Sequence, residues 1–152
     1  MPPAPLHRLL YVSRSAAEGA AFEALTEEVV AVSARNNARV GVTGLLIGFD
    51  GWFLQALEGP RADVSTTFGR VARDTRHSDL EIIAAGPVDG RLFGRWSMSA
   101  RTITPAAAPV LDMLGSSGGM DPRTLDSAGA LRLLLTVASV SEGALERVRL
   151  RA

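Results

Sequence analysis

Gln55 stands inside the apolar run at residues 52–57, where a long amide is a chemical anomaly. Its side chain offers two donors and an acceptor, and burying them without partners costs about 1–3 kcal/mol. Alternation along a strand puts Gln55 on one face with Phe53 and Leu57, and Trp52, Leu54 and Ala56 on the other. Tyr11, the one tyrosine of the chain, shares a strand face with Leu9 and Ser13. Ser33 and Asn37 are a helical turn apart, with Asn36 beside them, and continue a helix face begun by Leu25 and Val29. Trp96 and Met98 share one side of a later segment. A planar ligand with amide and carbonyl groups along one edge would satisfy Tyr11, Asn37 and Gln55 together.

The elements that must bring these residues together follow from periodicity. Asp50-Gly51 supplies the positive φ angles of a two-residue hairpin turn, which sets Phe49 opposite Trp52, Ile47 opposite Leu54 and Leu46 opposite Gln55. Residues 7–13 read as a first strand, with Leu10 and Val12 on the face away from Tyr11. A helix over residues 20–37 carries Phe22, Leu25, Val29 and Val32 at three-to-four spacing. A second helix over residues 61–73 has Val64, Phe68, Val71 and Ala72 as its stripe and stops at the polar cluster Asp74-Thr75-Arg76-His77. Strands are expected at residues 80–85, broken by Gly86-Pro87, and at 93–100. The order βαββαββ defines an α+β, ferredoxin-like fold, a mixed five-stranded sheet with two helices on one face. Beyond Arg101 come a short helix from near Pro105 through Leu114, a flexible GSSGG, and a final helix over residues 122–140. Asp121-Pro122 caps that last helix, and Leu125, Leu131, Leu134 and Val137 would lie against the other face of the sheet. The expected division is a domain over residues 1–100 and a helical extension over residues 101–152 packed on the sheet.

Composition excludes several function classes. The 152 residues suffice for one domain with its own core. Sixteen basic and sixteen acidic side chains cancel, which argues against a nucleic-acid surface, where affinity comes mostly from phosphate neutralisation. No apolar run approaches ~18 residues and MPPAPLHR lacks a signal peptide's apolar centre, so a soluble, cytoplasmic protein without membrane contact is expected. With no cysteine, the chain has no thiolate nucleophile, disulfide, cysteine zinc site or cysteinyl cofactor adduct. His7 and His77 have no partners at metal-ligand spacing. Taken singly, Tyr11 reads as a core tyrosine, Asn36-Asn37 as a helix end, Trp96 and Met98 as core filling, and Arg76-His77 as a solvated helix terminus. A shared site explains them jointly.

YVS, ARNN followed by VTGLL, FLQALEG, DTRH and RWSM, in this order and spacing, resemble the BLUF domain, the blue-light sensor that uses FAD. The resemblance covers residues 6–100 and continues more weakly through the tail, which looks like the two-helix extension of stand-alone members. It implies an isoalloxazine ring between the two helices above the sheet. Asn37 would pair with the flavin edge at N3 and the C4 carbonyl, with Asn36 and Ser33 lining the site. Arg70, Arg76 and His77 would lie toward the ribityl and phosphate side. Tyr11 would hydrogen-bond Gln55, and Gln55 would reach flavin N5 and the C4 carbonyl. The resemblance further implies that light drives an electron and then a proton from Tyr11, that Gln55 rearranges its hydrogen bonds, and that a small red shift reverts thermally in the dark. Trp96 and Met98 match a pair on the last strand held to relay the signal.

These residue types suit that chemistry. A phenol is a workable one-electron donor, and a primary amide exchanges donor for acceptor by a flip or tautomer change. So small a switch needs a packed two-state neighbour, for which Trp96 is bulky and Met98 adaptable. The chain has no G-x-G-x-x-G, so FAD would not sit in a dinucleotide-binding crevice. The expected function is a noncatalytic blue-light photoreceptor, homo-oligomeric, signalling to a separate downstream protein. Two other functions compete with it. One is a light-insensitive module binding a small metabolite at the same cleft. The other is an acylphosphatase-like enzyme, which needs a phosphate-cradling loop after the first strand, where Ser13-Arg14-Ser15-Ala16 has no glycine.

Overall fold

Hairpin geometry sets the register of the central sheet. The computed structural model describes residues 5–49, 51–94, 99–102 and 121–140. The chain runs through β1 (Leu6–Ser15), α1 (Ala20–Ala38), β2 (Thr43–Phe49), β3 (Trp52–Pro60), α2 (Arg61–Arg73), β4 (His77–Val88), β5 (Ser99–Thr102), a 3-10 turn (Pro122–Thr124) and α3 (Ser127–Val140). Gly51 takes φ 81° at the hairpin turn, and Phe49 faces Trp52, Ile47 faces Leu54 and Leu46 faces Gln55, as the turn chemistry requires. Strands β4-β1-β3-β2 pair antiparallel in that order, and the short β5 adds in parallel to β2. This is the ferredoxin-like arrangement, with β3 in the middle and β1 beside it.

Alternation divides the apolar residues between two cores. Leu9, Tyr11, Leu46, Phe53 and Leu57 point to one face, where Phe22 of α1 and Val64 of α2 cover them. Leu10, Val12, Ile47, Leu54 and Ala56 point to the other, where Leu133, Leu134 and Val137 of α3 close the layer. Each fully buried leucine or valine contributes about 1.5–3 kcal/mol, so both faces need their helices. Gly48 lets α1 settle onto β2: a Cβ there would lie 2.9 Å from Phe22 Cζ.

Several element boundaries differ from expectation. β4 begins at His77 and continues through Gly86-Pro87 to Val88, rather than occupying residues 80–85. It is an edge strand, where a proline forfeits no ladder bond that the sheet needs. Ala72 is exposed, and Thr67 is buried with Val64 on α2. At 100° per residue Thr67 lies closer than Ala72 to the Val64 direction. The strand expected at residues 93–100 is β5 at Ser99–Thr102, while Phe93 sits in the preceding bend, fully buried in the α3-side core. Asp121-Pro122 opens only the 3-10 turn, and Asp126 caps α3 by accepting from the Gly129 amide at 2.7 Å. Arg123 in that turn lies 4.9 Å from the Trp52 ring centroid and Arg14 lies 4.8 Å from it, tying the tail to the hairpin end of the sheet. Trp96, Met98, Asp50, the helix expected at residues 105–114 and GSSGG lie outside the described residues. Among the described residues no helix is long and apolar enough to cross a membrane.

Candidate functional site

Tyr11 and Gln55 are direct partners across the β1–β3 ladder, both projecting toward α1 and α2. The Tyr11 hydroxyl donates to Gln55 Oε1, and the two residues are 3% and 2% exposed. The phenol packs edge-on against Phe68, with ring centroids 5.5 Å apart, and against His77 at 6.4 Å. Burial pushes the Tyr11 pKa above its ordinary value, and the Asp74 carboxylate pushes it further in the same direction. A phenolate is thus disfavoured here, and the neutral phenol is held against an amide oxygen.

The cleft above this pair is lined by Val29 of α1, Leu46, Phe53 and the α2–β4 corner with Val71, Asp74, Arg76 and His77. His77 is fixed from two sides. Its Nε2 lies 2.6 Å from the Val71 carbonyl, which can only accept, so the neutral ring carries its proton on Nε2. Its Nδ1 then accepts from the buried Ser13 hydroxyl at 2.7 Å. Arg76 forks onto Asp74, with Nε 2.9 Å from Oδ1 and Nη2 2.5 Å from Oδ2. The Arg76 hydrogen bonds hold the Asp74 carboxyl below the usual carboxylate range. Arg76 Nη1 also lies 3.6 Å from Glu28 Oε1 of α1, so the cation spans the mouth between the helices.

Asn37 lies in the last turn of α1. Its main-chain carbonyl accepts from the Val40 and Val42 amides, which fixes the backbone at the helix terminus. That residue is 2% exposed and its Nδ2 has no hydrogen-bond partner among the described residues. A buried amide donor left in this state costs about 1–3 kcal/mol, an expense that a ligand carbonyl would remove. Apolar walls at Val29, Leu46, Phe53 and Val71 suit a planar aromatic body, and the Arg76 guanidinium suits an anionic or carbonyl group at its edge. The residues present fit a flavin.

Of the residues singled out from sequence, Tyr11, Gln55, Arg76 and His77 meet in this cleft. Asn37 and the half-buried Asn36 stand near the end of α1 and are not among the residues that line the cleft, and Ser33 lies on the same helix. Arg70 is exposed in the last turn of α2 and is not part of the cleft lining, because its direction on the helix carries it outward. Sequence reasoning passed over Asp74 and Ser13 as site residues. An aspartate two residues before an arginine can form such a fork, and Ser13 shares the face of Tyr11, so both signals were legible.

Comparison with known proteins matches this geometry. The family model for sensors of blue-light using FAD matches residues 6–99, and the chain belongs to this BLUF family. The photoactivated adenylate cyclase subunit beta of Euglena longa is 30% identical over 135 residues, covering 85% of this chain and 16% of that protein. Subunit alpha of the Euglena gracilis cyclase is 31% identical over 93 residues, covering 61% of this chain and 9% of its own length. The chain thus spans a small fraction of these relatives. Among solved structures, the BLUF protein BlrB in its dark state is 29% identical, with a TM-score of 0.67 over 87% of this chain and 96% of BlrB. BlsA in its photo-activated state shares the fold with a TM-score of 0.74 at 22% identity, over 87% of this chain and 95% of BlsA.

Proposed function

We propose that this chain is a blue-light photoreceptor that binds FAD noncovalently in the cleft between α1 and α2. The observation that carries the reading is the buried hydrogen bond from the Tyr11 hydroxyl to Gln55 Oε1 in the wall of that cleft. A bound flavin supplies the absorption of blue light and the acceptor for one electron. Tyr11 is the donor. Its neutral phenol would become a strong acid on losing an electron, and Gln55 Oε1, already accepting from that hydroxyl, is the atom that would receive the proton. Gln55 then exchanges donor for acceptor within fixed walls, a change that moves few atoms but alters the electrostatics at the flavin edge. Asn37 would orient the ring through its Nδ2, which has no partner among the described residues. Arg76, held by Asp74, and His77 would hold the ribityl and phosphate side, Ser33 and Asn36 would line the ring, and Arg70, exposed at the end of α2, would reach in from outside the cleft lining.

The reading extends to the whole chain. Residues 1–100 form the sensory domain and residues 101–152 the extension through which the signal leaves by a change in protein contact. The protein is cytoplasmic, assembles with itself and acts on a separate partner rather than catalysing a reaction. Trp96 and Met98 relay the state of Gln55. The test is an absorption spectrum of the protein loaded with FAD, in the dark and under blue light. A flavin spectrum that moves slightly to the red and relaxes in the dark is expected. A protein that takes up no flavin returns the cleft to a small metabolite.

A further inference from the structure

Glu58 is a buried carboxylate that the photochemistry does not use. It lies on β3 three residues beyond Gln55, and alternation turns it to the opposite face of the sheet, with Leu54 and Ala56. It is 0% exposed. Its Oε2 accepts from Arg8 Nε at 2.8 Å and from the Leu92 amide at 3.0 Å, while Oε1 accepts from the Phe93 amide at 2.7 Å. The carboxylate thus binds a neighbouring strand with one oxygen and grips two successive backbone amides of the loop after β4 with both. An acceptor-only group suits this position, because each of its three described partners, Arg8 and the Leu92 and Phe93 amides, is a donor.

That loop is attached on other sides as well. Arg91 donates to the Glu58 carbonyl at 3.1 Å, to Thr43 Oγ1 at 2.8 Å and to the Gly41 carbonyl at 2.7 Å. Gly41 is in the turn that follows Asn37, whose carbonyl accepts from Val40 and Val42. The strand of Gln55 and the helix end of Asn37 therefore converge on residues 90–93. The next side chain, Phe93, is fully buried in the core that α3 shares with β1 and β3.

We propose that Glu58 is a positioning residue that couples β3 to the tail: a shift of β3 on the flavin face is passed by its carboxylate to the Leu92 and Phe93 amides, and by the Phe93 ring to α3. The proposal rests on the photoreceptor reading and adds to it the route by which the state of the cleft crosses the sheet. A glutamine at this position keeps one acceptor and sets an NH2 group against the amides or the Arg8 Nε–H. The pair of Tyr11 with Gln55 lies on the other face, and the backbone ladder of β3 does not use the carboxylate, so both are left in place.

The test compares hydrogen exchange in the dark and under blue light for the FAD-loaded chain and its Glu58→Gln variant, with the flavin absorption recorded on the same samples. In the unaltered chain, light is expected to change exchange at the Leu92 and Phe93 amides and along α3. In E58Q the red shift should persist while the light–dark difference in α3 is lost. A purely structural Glu58 would raise exchange equally in dark and light and leave that difference intact, which overturns the proposal. So does a red shift in the unaltered chain with no change at residues 92–93 or in α3. If E58Q does not hold FAD, Phe93→Leu decides: it leaves the carboxylate on its amides, so the change at residues 92–93 should remain while that in α3 disappears, and an undiminished response in α3 refutes the route. Absence of any red shift in the unaltered chain removes the photoreceptor reading itself, a failure read from the absorption alone.

Discussion

As the proposed donor, Tyr11 is kept neutral by its surroundings. Burial first, and the Asp74 charge second, raise its pKa, so the phenol holds its proton at pH values where free tyrosine ionises, near ~10. The light-driven shift should accordingly survive at pH 10; a loss of the shift titrating there would contradict this account of the site. The role proposed for Gln55 is different, since its amide is the part that would switch. Gln55→Ala should retain flavin and lose the shift, as read by absorption under blue light, and a surviving photocycle would show the amide to be dispensable. Asn37 bears a cost in the flavin-free protein, because its Nδ2 is buried without a partner among the described residues. Asn37→Ala should therefore leave the flavin-free fold unchanged or slightly stabilised while weakening flavin binding by roughly tenfold, the worth of one hydrogen bond. Parallel thermal melts and flavin titrations read the two effects. These side chains were legible in the sequence because each breaks an apolar pattern, as Gln55 does between Leu54 and Ala56. Glu58 was passed over for the opposite reason. A glutamate at a strand end reads as solvated until Arg8 and two backbone amides, from distant segments, are seen to enclose it.

The corner between α2 and β4 places the charged part of the site. Asp74 and Arg76 form their fork within three residues, and Glu28 brings α1 to the same cation. Because the folded Asp74 carboxyl is held below its ordinary range, its contribution to stability is present above the unfolded value near ~3.9 and is lost as pH falls through the depressed folded value. Asp74→Asn should be less stable than the unaltered chain at neutral pH and should lack this part of the acid loss. Melting temperatures between pH 7 and pH 2 check it, and parallel curves for the two proteins would remove the fork from the account. Hairpin register was readable from Asp50-Gly51 alone, since the turn fixes which residues face each other. The extent of β4 was not. Gly86-Pro87 looks like a break, and only the pairing of Pro87 with His7 on one side of an edge strand shows why it is tolerated.

At the scale of the described residues, one sheet serves two purposes: its α1–α2 face holds the cleft and its other face holds α3. The division was foreseeable because β1 and β3 are apolar on both sides, which demands cover on both. The start of α3 was harder to place, since Asp121-Pro122 and Asp126 are both good caps and the chain uses them for different turns. Leu134 of α3 is fully buried against the sheet, so Leu134→Ala should cost about 2–5 kcal/mol in denaturant unfolding. A cost near zero would mean that α3 does not pack there in solution.

The central claim is that Tyr11 drives the light response through Gln55. Its most direct test is the light-minus-dark absorption difference of the FAD-loaded chain, recorded beside that of Tyr11→Phe. The account requires a reversible red shift in the first and none in the second, with flavin bound in both. A shift of equal size in Tyr11→Phe would contradict it.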